Sequence, residues 1–134
     1  MVITKSPSGA LSPYYYKGGY FHGIHYGSYF DDMDSLLSMM RAEEDFILRS
    51  PEKRRIAIDL YETNLTPAAL KEFVAHVNRL SERIIKLAVV SDKRALRTIR
   101  NELSSGCSLT KGQIFFTTDM EEGKTWLVSD HNNG

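Results

Sequence analysis

The residues able to do chemistry are few and scattered along the chain. His22 and His25 form an H-x-x-H pair, Asp59 interrupts an apolar run, and Cys107 is the single thiol. On a strand, residues three apart face opposite ways. His22 and His25 are therefore poorly placed to share an ion, and no metal site is expected. Asp59, His25 and Cys107 would make a small hydrolase or transferase centre only if the fold brought all three together. Asp59 has a plainer use, capping loop amides around Glu62 to Asn64. Cys107 follows a helix stop with no histidine at a recognisable spacing, which suits a spectator thiol. The sequence holds no Gly-rich phosphate loop, no G-x-S-x-G and no paired-carboxylate signature, so no cofactor is implied.

Binding chemistry is better represented. Arg94, Arg97 and Arg100 recur at i, i+3 and i+6, a stripe along one side of a helix. Ser91 and Asp92 precede it, where backbone amides at a helix start favour an anion. From residue 79 to 111 there are eight Lys/Arg and three acids, whereas 31 to 62 holds nine acids and five bases. A chain of zero net charge is thus polarised. An anionic small ligand or an acidic partner suits the stripe, and a solvated helix face is the plainer alternative. Thr66 is the candidate phosphoacceptor, because a phosphate at a helix N-terminus is well placed. Its role as a helix cap already explains the residue fully and is the favoured reading. Tyr14, Tyr15, Tyr16, Tyr20, Tyr26 and Tyr29 are six of the seven tyrosines. Tyr14, Tyr16, Tyr20 and Tyr26 are expected at a dimer or partner interface.

These residues must be positioned by elements the pattern makes visible. Residues 1–12 read as a loose arm or a poor first strand. Aromatics on both sides of Lys17-Gly18-Gly19 predict a hairpin turning at the glycine pair. Tyr20, His22, Ile24 and Tyr26 share one strand face, with Phe21, Gly23, His25 and Gly27 on the other; the glycines suggest close packing there. Asp31 is the expected N-cap of a helix over 32–49, with Met33, Leu36, Leu37, Met40 and Ile47 inward and Arg41, Glu43, Glu44 and Asp45 outward. Arg54 to Leu60 is an apolar strand. Thr66-Pro67 then opens a helix to about 82, burying Leu70, Phe73, Val74, Val77 and Leu80, with His76 expected partly exposed. Ile84 to Val90 is an apolar strand of the kind covered on both faces. Ser91-Asp92 caps a helix stopping at Gly106. Ile114 to Phe116 is a third parallel strand, and Asp119 caps a final helix with Met120, Trp126 and Leu127. Residues 13–129 form one domain, and the tail 130–134 is expected to fray.

Alternating βα units imply a mostly parallel sheet of four or five strands, an antiparallel N-terminal hairpin and about four helices. A length of 134 residues fits one core. One cysteine excludes an internal disulfide and fits a cytoplasmic protein. The N-terminus lacks a basic-then-apolar layout, so no signal peptide is expected. No apolar run reaches the ~20 residues of a membrane span. Neutral charge gives no overall pull toward nucleic acid.

The runs IAIDL, LTP, IKLAVVSDKRALRTIR and QIFFTTDMEEGKTWL, spread over residues 54–128, resemble the SpoIIAA-like branch of the STAS domain family. The corresponding features are Leu87 to Asp92, Arg94 to Arg100, Ile114 to Phe116 and Glu121 to Leu127. The resemblance implies a non-enzymatic regulatory or ligand-binding module, bacterial in character. Anti-sigma-factor antagonists carry an Asp-Ser-Ser-Gly-type motif before the second helix, with a phosphorylated serine. Here Asn64-Leu65-Thr66-Pro67 stands there, and Thr66 is the only hydroxyl. The functional end expected from these features is the loop Tyr61 to Thr66, including Asn64, together with Ser91, Asp92, Arg94 and Arg97. Partners expected are a protein or a second copy, with a small anionic ligand. A carrier of an amphipathic or lipid ligand is the alternative.

Overall fold

A computed structural model describes residues 3–130. Near the N-terminus, β1 (Thr4–Lys5) and β2 (Leu11–Ser12) pair antiparallel, so part of the expected loose arm is a short hairpin. β3 (Tyr14–Tyr16) and β4 (Gly19–His25) form the aromatic hairpin. Its turn is Lys17-Gly18, with φ of 45° and 90°, and Gly19 already belongs to β4. A two-residue hairpin turn needs positive φ at both central positions, which Gly18 takes without strain.

From β4 the chain winds in one direction: α1 (Met33–Leu48), β5 (Arg54–Asp59), α2 (Pro67–Leu80), β6 (Ile84–Val90), α3 (Lys93–Gly106), β7 (Ile114–Thr117), α4 (Met120–Val128). The sheet order is β3-β4-β5-β6-β7, antiparallel only at β3–β4. Crossovers of one hand, taken always in the same direction, put their helices on one face. α1, α2 and α3 accordingly share a core with Ile24, Ile56, Ile58, Leu87 and Val89. Each such side chain contributes about 1.5–3 kcal/mol by leaving water. The alternate residues Phe21, Ala57 and Ala88 face α4 with Leu127 and Val128. Gly123 of α4 approaches closely: a methyl group there would lie 3.4–3.5 Å from Thr117, Val90 and Ala88.

Local chemistry sets the helix ends, with two departures from expectation. Asp32, not Asp31, caps α1, accepting from the Ser35 amide. α3 includes Gly106 and ends on Cys107 in extended conformation rather than on a left-handed glycine. Thr66, Asp92 and Asp119 cap α2, α3 and α4 as expected.

Three polar residues run deeper than the sequence suggested. Glu43 is fully buried rather than outward. It accepts from the Ser8 amide and hydroxyl and from His22 Nε2–H. Arg54 donates to Ser12 Oγ, and Ser12 in turn donates to His22 Nδ1, so this relay pins the β1–β2 hairpin to the core. His76 is also fully buried rather than partly exposed; its Nδ1–H donates to Glu44 at 2.8 Å and its Nε2 accepts from the Tyr26 hydroxyl at 2.8 Å. Tyr26 is 0% exposed, so it is a core residue and not part of an interface. The remaining exposed members of the predicted patch are Tyr14 and Tyr20, joined by Tyr15; Tyr16 is half-buried and donates to Glu121. Asp130 pairs with Arg55 and Lys86, and the rest of the predicted tail lies outside the described residues. No helix among the described residues is long and apolar enough to cross a membrane.

Candidate functional site

In an open α/β sheet the carboxyl ends of the parallel strands are where ligands bind, because helix N-termini gather there. The loops at this edge are interlocked. Ser28 and Phe30 amides donate to the Tyr61 and Glu62 carbonyls, and the Asn64 amide donates back to Phe30. Asn64 Nδ2 also donates to Asp31, so the aspartate expected as a cap instead ties α1 to the loop before α2. Ser28, Phe30 and Glu62 hold φ of 63°, 52° and 59°, a conformation costly for residues with a Cβ and concentrated at binding sites. Gly27 is required: a methyl group there would sit 2.7 Å from the Tyr61 carbonyl and 3.1 Å from Asp59.

Within this frame a cavity of about 330 Å³ opens between the Leu60–Leu65 loop and the start of α3. Asn64, Ser91, Asp92 and Arg94 all line it, so four of the six predicted binding residues converge. Ser91 is 1% exposed and its hydroxyl has no hydrogen-bond partner among the described residues. A buried hydroxyl left unpaired costs about 1–3 kcal/mol, so its position at a cavity wall is informative. Arg94 is exposed and forms no ion pair among the described residues. Asp92 is occupied as the α3 cap, accepting from the Ala95 amide at 2.8 Å.

Thr66 and Arg97 fall outside this cavity. Thr66 accepts from the Ala69 amide at 3.1 Å and is exposed at the α2 start. Arg97 lines a separate cleft with Lys93, Arg100 and Thr118; Arg100 lies over the Phe116 ring at 5.0 Å. Tyr61 bridges the edge by donating to the Thr118 carbonyl. Its pKa is raised, first by burial and then by the charges of Asp92, Asp59 and Asp119.

His25 and Asp59 do meet: His25 Nδ1–H donates to Asp59 Oδ2 at 2.9 Å. Asp59 Oδ1 accepts from the Tyr61 amide, one residue short of the loop amides expected for it. Cys107 stands at the opposite end of the sheet. Its neighbour Ser108 bonds Asn78 and Ser81, which precede β6. The three-residue hydrolase arrangement therefore does not assemble. His22 and His25 lie on opposite sheet faces, and among the described residues no group of three or more His, Cys, Asp or Glu could hold a metal. The unpaired Ser91 hydroxyl has no sequence signature, because it depends on which loops crowd it. No family model, curated protein or solved structure matches the chain.

Proposed function

We propose that this chain is a STAS-like, SpoIIAA-like binding module, and that its ligand is a small molecule with a phosphate or carboxylate head. The observation that carries this reading is the cavity at the α3 N-terminus lined by Asn64, Ser91 and Arg94, beside a buried Ser91 hydroxyl that has no partner among the described residues. A head group there would accept from Ser91, from the first amides of α3 and from Arg94, with the helix dipole adding attraction. The one-way winding of β4 to β7 with all crossover helices on one face supports the family reading. A regulatory role in the cytoplasm fits the single cysteine. Calorimetric titration with phenyl phosphate and with benzoate tests the proposal. Saturable binding that weakens roughly 10-fold or more in Arg94→Gln supports it, since a charged hydrogen bond contributes about 1.5–3 kcal/mol. Binding of neither compound overturns it.

A protein partner is the second reading, favoured by Tyr14, Tyr15 and Tyr20 exposed together at the β3 edge of the sheet. Aromatic side chains on an open edge offer contact area and unpaired backbone at once. Thr66, exposed at the α2 start, stays the candidate phosphoacceptor in that reading.

A further inference from the structure

The face of the sheet under α4 carries a second cavity, of about 340 Å³, independent of the anion site. Gly23 of β4 lies at its base beside Ala10, whose Cβ would come within 3.5 Å of a methyl group added at Gly23, while Ala57 of β5 borders it but is itself covered. Leu11 and Tyr14 wall it on the hairpin side and Met120 on the α4 side. The result is a largely apolar slot, with Phe21 set edge-on to Tyr14 at 5.4 Å between ring centres.

One end of the slot is polar and open to solvent, the His25 side chain being 54% exposed. His25 and Asp59 both line it. The Asp59 carboxylate is anchored on one oxygen by the Tyr61 amide at 2.9 Å and takes the His25 Nδ1–H on the other. The His25 backbone is itself held, its amide donating to Ser8 Oγ at 3.1 Å. An imidazole whose Nδ1 carries the shared proton presents Nε2 as an acceptor, and Nε2 has no partner among the described residues. The opposite polar group, Lys124, lies 3.7 Å from Glu121 and over the Tyr16 ring, so its charge is already engaged.

We infer that this slot binds a small phenolic molecule, its ring lying between Leu11, Tyr14 and Met120 and its hydroxyl donating to His25 Nε2. The apolar walls favour a ring over a charged head group, and the oriented imidazole favours a hydroxyl donor over an acceptor. A phenol donates more strongly than an alkyl alcohol because its oxygen bears less charge after sharing the proton.

The test is amide ¹⁵N–¹H correlation spectroscopy of the full chain, titrated separately with 4-methylphenol and with its methyl ether, 4-methoxytoluene. The phenol is expected to move the amides of Gly23, His25, Ala57 and Lys124 and to bind roughly three- to tenfold more tightly than the ether, the yield of one net hydrogen bond. His25→Phe is expected to abolish that difference while the ether still binds. Equal affinities for the two compounds overturn the proposal, as do shifts scattered away from the slot. Movement of the same amides with protein concentration alone, without any probe, also overturns it, because a tyrosine of a second copy then fills the slot. The comparison of the two compounds on the unaltered chain decides the matter even if the variant fails to fold.

Discussion

Replacing Ser91 by alanine separates binding from stability. The residue is 1% exposed and its hydroxyl is unpaired among the described residues, so in the empty protein it is a liability of about 1–3 kcal/mol. Alanine removes that cost and forfeits only the few dispersion contacts of one oxygen, at about 0.1–0.2 kcal/mol each. The variant should be at least as stable as the parent and gain up to about 1–2 kcal/mol, which raises Tm by roughly 3–8 °C in a domain of this size. Affinity for phenyl phosphate should fall by about 10-fold or more, the loss of one charge-assisted hydrogen bond. Thermal and urea unfolding of both proteins, followed by calorimetry, measures the two effects. A loss of stability beyond about 1 kcal/mol would refute the reasoning, because the hydroxyl would then be satisfied inside the fold.

Further outcomes follow from the buried polar groups and the edge loops. Glu43→Ala strands His22 and both Ser8 donors and should cost about 3–5 kcal/mol, with hydrogen exchange quickening first in residues 4–12; unchanged exchange there would contradict the pinning role. The His76 pKa is lowered from 6.5, chiefly by burial, so the neutral ring is favoured in the fold. In Glu43 and Glu44 burial raises the pKa, but the hydrogen bonds from His22 and Ser8, and from Arg79 and His76, outweigh it and leave both lowered from 4.5. All three depressed groups act in the same direction: stability is full above about pH 6.5, declines below it as unfolded His76 protonates, and declines again below about 4.5. Urea midpoints that stay flat from pH 7 to 4 would contradict this. Gly27→Ala should destabilise by about 1–3 kcal/mol, because the added methyl group meets the Tyr61 carbonyl; a neutral result by chemical denaturation would show that the loop relaxes freely. Tyr15→Ser should weaken any dimer seen by sedimentation, as Tyr15 is 60% exposed; an unchanged dimer would move the interface away from the β3 edge.

The elements were legible because their signals are local. The apolar run of β6, the Thr66-Pro67 opening of α2 and the aspartates before α3 and α4 each depend on a few adjacent residues. The faces of β4 were legible too, since alternation alone separates His22 from His25. Glu43 and His76 are polar types that predict exposure, whereas their positions along the helices point inward. Glu43 falls on the stripe of Leu36, Met40 and Ile47, and His76 on that of Phe73, Val77 and Leu80. The same period that marked the core therefore marked them as buried polar groups needing partners. Tyr26 was assigned to the surface for its hydroxyl, which His76 satisfies inside. Four of the residues expected to bind line one cavity because they cluster around a single helix start and the loop facing it. Arg97 was grouped with Arg94 by charge, whereas it lines another cleft. The His25–Asp59 contact joins residues 34 apart in sequence and follows from β4 lying beside β5, which chain order does not dictate.

The proposed anion site is tested most directly by mapping where a phosphate head group lands. Amide ¹⁵N–¹H spectra titrated with phenyl phosphate should show saturable shifts at Asn64, Ser91, Lys93 and Arg94, at constant ionic strength, and these should be lost in Ser91→Ala. Shifts spread evenly over exposed lysines and arginines, or unchanged by removal of the Ser91 hydroxyl, would contradict the site.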